Sequence, residues 1–267
     1  APSLVGSEMC IRDRKISDPN VWISQIQGPK SMELLSKLIK EDIAEKWNYF
    51  DCKEVTILSE KIIISRTGFT NELGWEIYFR PENNAEKIGD LILSEGKKMG
   101  MILTATPSFR GRRIEAGLLS AGQDFDKNTN PFSVGLGKFV DLDKKDFIGK
   151  KALSNVEKKC RTWGLRVKES VALKGENIFS NNKVIGRVTS STWSPFQVCG
   201  VAIIHLNNDQ FGPSSVIDVK CSDGKIYKGE ICSLPMYDKK NEIVRGLVEN
   251  IPTKPEPVSY THLTLPT

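Results

Sequence analysis

The spacing of apolar positions divides the 267-residue chain into three blocks. In the first, Met32, Leu35, Leu38 and Ile39 recur at helical spacing behind Pro29, whose fixed φ suits a first turn. IQGPKSMELLSKLI therefore reads as an amphipathic helix. VTIL and KIIIS read as paired strands across a Ser59-Glu60 turn, and WEIYF, rich in residues that favour strands, as a third. Residues 84–98 return to helical spacing, with Ile88, Leu91 and Ile92 on one face and Gly100 as the stop. This is an α+β unit.

The second block, 101–153, opens on SFRGRRIEAGLL, a short helix for which Ser108 is a candidate cap. SAGQDFDKNTNPFSVGLGKF follows, a turn-rich loop that must be held by something. In the third block, 158–249, TWGLRV, KVIGRVTSS, CGVAIIHL, SVIDVKC and KIYKGEIC alternate with Gly, Asn and Asp turns. That spacing predicts an antiparallel sandwich or barrel.

Composition narrows the function. At 39% hydrophobic and 27% charged the chain is globular, and no apolar run approaches the ~18 residues of a membrane-spanning helix. Two histidines, His205 and His262, leave little for a zinc site or a Ser-His-Asp triad, so no metal ligands are assigned. The net charge of +5 is spread, without aromatic interleaving, which argues against a nucleic-acid stripe.

Both ends break the neighbouring patterns. APSLVGSEMCIRDR (1–14) and VSYTHLTLPT resemble adapter read-through, so the expected natural part is residues 15–257, truncated at its N-terminus. Removing them takes away Cys10 and His262 and leaves the net charge unchanged, because Glu8, Arg12, Asp13 and Arg14 cancel. Cys52, Cys160, Cys199, Cys221 and Cys232 remain, an odd set with no CxxC pair, as expected of reduced thiols in a cytoplasmic protein. The expected domains are a partial α+β region at 15–153 and a β-barrel at 154–250, with 251–267 as a tail.

Generic catalytic motifs are nearly absent. Neither GxGxxG nor GxxxxGK[ST] occurs. His205, flanked by apolar residues in VAIIHL, reads as a satisfied structural histidine. Asp124 and Asp126 could suggest metal or acid-base work, but in a Gly/Asn-rich loop they read as turn-formers.

Five longer motifs occur in fixed order: RTGFTNELGWEIYF (66–79), FRGRRIEAGLLSAGQDF (109–125), NPFSVGLGKFVD (130–141), DFIGKKAL (146–153) and GRVTSSTWSP (186–195). Together they resemble the folate-dependent aminomethyltransferase family, whose best known member is the T-protein of the glycine cleavage system. The resemblance covers almost all of residues 20–249. Within it, WISQIQGPKS and RRIEAGLLSAGQDF look closest to dimethylsulfoniopropionate demethylase and its relatives.

The resemblance implies an α+β folate-binding lobe followed by a C-terminal antiparallel β-barrel, with tetrahydrofolate as the carbon acceptor. Glu76 matches the family's pterin-binding glutamate, and a single carboxylate can accept the two adjacent N–H donors of a pterin edge. Tyr78, two residues on, shares its strand face. Arg113 matches the arginine of the R-x-E-A-G segment, a planar fork suited to a folate carbonyl or carboxylate; Arg110 and Arg112 could equally form a solvated basic face. Glu115 is expected to orient Arg113 or the adjoining loop, or to take a surface or capping role. Phe69 and Tyr78 match positions that face a cationic methyl donor, although Phe69 stands where a tryptophan is expected. Trp47, Tyr49 and Phe50 could add rings or pack on the preceding helix.

The family's catalytic carboxylate belongs to a segment upstream of this chain, so no catalytic acid is assigned. The expected activity is methyl transfer from a sulfonium or methylated amine, a small-molecule donor, to folate N5. The alternatives are the glycine-cleavage aminomethyltransferase, which docks a lipoyl-bearing carrier protein, and a non-catalytic folate-binding protein of iron–sulfur cluster maintenance.

Overall fold

A computed structural model describes residues 20–41 and 47–251. The read-through-like ends, with Cys10 and His262, lie outside the described residues. The described residues form two compact units, one of those up to Thr67 with Gly74–Ile102, the other of Gly68–Leu73 with those from Leu103 to 251.

The first unit holds β1 (Trp22–Gln27), α1 (Ser31–Leu38), β2 (Cys52–Ile57), β3 (Glu60–Ser65), β4 (Gly74–Phe79) and α2 (Ala85–Lys98). The strands make one antiparallel sheet in the order β1-β4-β3-β2. Alternation sends Val55, Ile57, Ile62, Ile64, Trp75, Ile77 and Phe79 into a core shared with Leu34, Leu35 and Leu38 of α1 and Ile88 and Ile92 of α2. The opposite face carries Gln25, Glu76, Ser65 and Cys52 as one row of facing residues across all four strands. Helix α2 is capped by Asn84, whose side chain accepts the Lys87 amide at 3.0 Å, and Gly100 follows it with φ +84°.

Two local expectations shift. The β2–β3 turn is made by Leu58 and Ser59, both at positive φ, one residue earlier than the expected Ser59-Glu60 pair. WISQIQ is a strand that its pattern concealed, because at a sheet edge only Ile26 of its six residues is buried.

The second unit contains α3 (Thr106–Glu115), a 3₁₀ turn (Gly137–Phe139), α4 (Lys150–Ser154) and strands β5 (Thr162–Val167), β6 (Asn177–Ser180), β7 (Lys183–Ser194), β8 (Cys199–Leu206), β9 (Val216–Lys220) and β10 (Ile226–Cys232). The six strands close into a barrel in the order β10-β5-β8-β7-β6-β9. The barrel was expected; β6, four residues long, carried too little pattern to be read. Leu165, Val167, Ile178, Ala202, Ile204, Leu206, Ile217 and Val219 fill its interior. Val201 and Ile203 of β8 point outward, where Ile114 of α3 covers them with Cys199 and Cys232. Burial on both faces explains why VAIIHL is almost continuously apolar.

Helix α3 therefore packs on the barrel, and residues 103–153 join the barrel's unit although the motif order grouped them with the α+β region. Ser108 is not the cap of α3; it lies inside the helix, 2.6 Å from Thr104 Oγ1. The excursion Gly68–Leu73 is also held in the second unit, where Asn71 donates to Asn241 at 3.0 Å and Glu72 accepts from Tyr237 at 2.6 Å.

Candidate functional site

Glu76 sits on the open face of β4, with its carboxylate surrounded by neutral donors. Gln25, directly opposite on β1, donates Nε2–H to Oε1 at 2.7 Å. Thr67 donates its hydroxyl to Oε2, and the Tyr78 hydroxyl reaches the same oxygen at a long 3.3 Å. Ser65, facing Glu76 from β3, has its hydroxyl 3.0 Å from Thr67 Oγ1. Among the described residues no basic side chain is paired with Glu76. The result is a half-buried acceptor on the sheet that meets no counter-charge among the described residues.

At position 74 the absence of a Cβ leaves room for the end of the Gln27 side chain. Gln27 lies opposite Gly74, and a Cβ there would fall 2.5 Å from the Gln27 amide. The aromatic segment 47–50 divides its roles. Trp47 packs edge-on against Trp75 in the core, centroids 5.2 Å apart. The 48–51 turn is tied to β3 by Arg66, whose amide donates to the Asp51 carbonyl at 2.8 Å and whose guanidinium donates to the Trp47 carbonyl. Tyr49 then falls near Glu76: burial, and secondarily this carboxylate, push its hydroxyl pKa up. Tyr78 is raised for the same two reasons in the same order, so both hydroxyls stay protonated at neutral pH.

Arg113 belongs to the second unit and is buried, its side chain 5% exposed. Its guanidinium donates to Asp124 at 2.8 Å, to the Leu118 carbonyl at 3.0 Å and to Ser190 Oγ at 2.8 Å. Asp124, with its side chain wholly buried, also accepts Thr189 and Ser190 at 2.6 Å and the Ser120 amide at 2.8 Å. The pair thus fastens α3 and the 118–125 loop to β7. Asp124 is more than a turn-former; Asp126 does make the turn, accepting the Asn128 amide at 2.9 Å.

Glu115 engages Arg112 at 2.5 Å and Ser194, not Arg113. Arg112 also pairs with Glu72 and lies 4.6 Å over the Tyr237 ring and 5.1 Å over Phe196, so it is no solvated basic face. Phe69, assigned from sequence to the donor pocket, lies in the 68–73 segment of the second unit with 41% of its surface exposed. His205 Nδ1 is 2.9 Å from Thr162 Oγ1, and burial, helped by Arg187 and Arg161, lowers its pKa, as suits a structural histidine. It lines a cavity of about 220 Å³ whose cations, Lys159 and Arg161, are matched by Asp209 and Glu157. Among the described residues no group of three or more His, Cys, Asp or Glu could hold a metal ion, and no helix is long and apolar enough to cross a membrane.

A helix-backed antiparallel sheet followed by a closed six-stranded barrel is also the fold of the crystal structure of glycine cleavage system aminomethyltransferase T from Bartonella henselae. The two match with TM-score 0.70 at 23% identity, over 82% of this chain and 60% of that one. The family model of the GCVT N-terminal domain matches residues 13–144, and that of the glycine cleavage T-protein C-terminal barrel domain residues 161–238. The chain belongs to the glycine cleavage T-protein family. It is 34% identical over 235 residues to the aminomethyltransferase of Thermotoga sp. strain RQ2, covering 83% of this chain and 60% of that protein. It is 30% identical over 220 residues to the aminomethyltransferase of Halothermothrix orenii, covering 81% and 61%. The chain thus spans about 60% of the length of these relatives.

Proposed function

We propose that this chain provides the folate-binding part of a tetrahydrofolate-dependent one-carbon transferase acting in the cytoplasm, with Glu76 accepting the pterin edge. The observation that carries the proposal is the Glu76 carboxylate itself, ringed by neutral donors and, among the described residues, paired with no cation. Such an acceptor is matched by a ligand with two adjacent N–H groups, which a pterin offers. Tyr78 borders the same carboxylate and would meet the bound ring.

The relatives named aminomethyltransferase favour an aminomethyl donor over the sulfonium expected from the WISQIQGPKS and RRIEAGLLSAGQDF motifs. A lipoyl-bearing carrier protein would then be the partner. Arg113 is better suited to bracing the 118–125 loop than to touching folate, since its guanidinium is already shared among three acceptors, two of them buried. No catalytic acid is assigned to this chain.

The test is a comparison of tetrahydrofolate with an analogue in which the 2-amino group is replaced by methyl. Losing one charge-assisted hydrogen bond costs about 1.5–3 kcal/mol, so the analogue should bind at least tenfold more weakly. Equal affinities would remove Glu76 from the binding site.

A further inference from the structure

The geometry points to Gln25 and Thr67 as the positioning residues that fix the Glu76 carboxylate for its ligand, with the Tyr78 hydroxyl as a displaceable third donor. This rests on the reading of Glu76 as the pterin acceptor and assigns the residues that give it direction.

A carboxylate rotates about its last side-chain torsion unless its oxygens are held, and a two-donor ligand needs both oxygens in one plane. Gln25 holds Oε1 from β1, where the β1–β4 register places it directly across from Glu76. Thr67 holds Oε2 from the segment just after β3, beside Ser65. The two donors arrive from opposite neighbours of β4, so together they set the carboxylate plane. Each carboxylate oxygen offers about two lone-pair positions. Gln25 leaves one free on Oε1. On Oε2, Thr67 takes one and Tyr78 reaches the other at 3.3 Å, a length near the limit of a useful hydrogen bond. A bidentate ligand therefore takes the free position on Oε1 and displaces the Tyr78 hydroxyl from Oε2, leaving Gln25 and Thr67 in place. Tyr78 is thereby free to hydrogen-bond elsewhere once the ligand is seated.

The test is calorimetric titration of the full chain with tetrahydrofolate for wild type, Glu76→Gln, Gln25→Met, Thr67→Val, Thr67→Ser, Tyr78→Phe and the Gln25→Met/Glu76→Gln pair. Gln25→Met and Thr67→Val should each weaken binding by roughly five- to tenfold, Thr67→Ser should restore most of that loss, and Tyr78→Phe should change affinity less than about threefold. In the Glu76→Gln background Gln25→Met should have little further effect, because the charge it orients is gone. If Glu76→Gln weakens binding while Gln25→Met and Thr67→Val do not, the positioning role is overturned and the Glu76 reading stands. Unchanged affinity in Glu76→Gln overturns both. Equal losses in Thr67→Val and Thr67→Ser would assign Thr67 a packing role and overturn its part, and Gln25 is judged separately by its coupling to Glu76.

Discussion

Replacing Arg113 by methionine keeps most of the side-chain volume and removes the charge, leaving Asp124 with Thr189, Ser190 and the Ser120 amide. The guanidinium–carboxylate contact of 2.8 Å sits where neither side chain is more than 5% exposed, so solvent cannot replace it. At a charge separation of ~4 Å and an effective dielectric constant of ~20, the lost attraction is about 4 kcal/mol. Removing one partner of a buried pair typically costs about 3–5 kcal/mol, in agreement. Ser190 Oγ and the Leu118 carbonyl lose a donor as well. Arg113→Met should therefore lower the melting temperature of the second unit by about 10 °C. Adding Asp124→Asn should recover part of the loss, because the stranded charge disappears. Circular dichroism melts measure both, and tetrahydrofolate titration at 10 °C should find affinity within about threefold of wild type. If Arg113→Met melted like wild type but no longer bound folate, the guanidinium would be a ligand group and the brace would be refuted.

Gly74→Ala would place a Cβ 2.5 Å from the Gln27 amide, the end of a flexible side chain that can swing aside, so the stability read from the urea midpoint should move by less than about 1 kcal/mol. A loss of more than about 3 kcal/mol would show that Gln27 is held in place and cannot yield. Burial raises Cys199 from 9.0 to about 11 and Tyr237 from 10.0 to about 12. Groups raised in the fold contribute fully below their unfolded values, so Cys199 should cost stability between pH 9 and about 11 and Tyr237 between pH 10 and about 12, by up to roughly 1.4 kcal/mol per pH unit each. Melts at pH 7.5, 9 and 10.5 check this, and a flat profile to pH 10.5 would contradict the burial of these two groups.

The parts of the fold written in periodicity were legible. Ile88 and Ile92, the alternation of WEIYF and the turn-punctuated strands after residue 160 each announce their element, because burial on one face leaves a repeat. Edge position erased that signal in β1, where Trp22 and Ile23 remain exposed. The motif singles out Glu76, but Gln25, which donates to its carboxylate, lies 51 residues away and is brought to it only by strand register. Arg112 and Arg113 are adjacent on a helix and so point about 100° apart. Sequence could not say which would be buried against Asp124 and which would reach Glu72 and Glu115. Asp124 looked like a turn residue for the same reason: its partners Thr189 and Ser190 come from a strand 65 residues on.

The central claim, that the Glu76 carboxylate on the open face of the sheet is the pterin acceptor, is tested most directly by calorimetric titration of tetrahydrofolate into the wild-type chain and into Glu76→Gln. The account predicts saturable one-to-one binding to the wild type, weakened at least tenfold in Glu76→Gln at unchanged melting temperature. Equal affinities in the two proteins, or no saturable binding to the wild type, would contradict it.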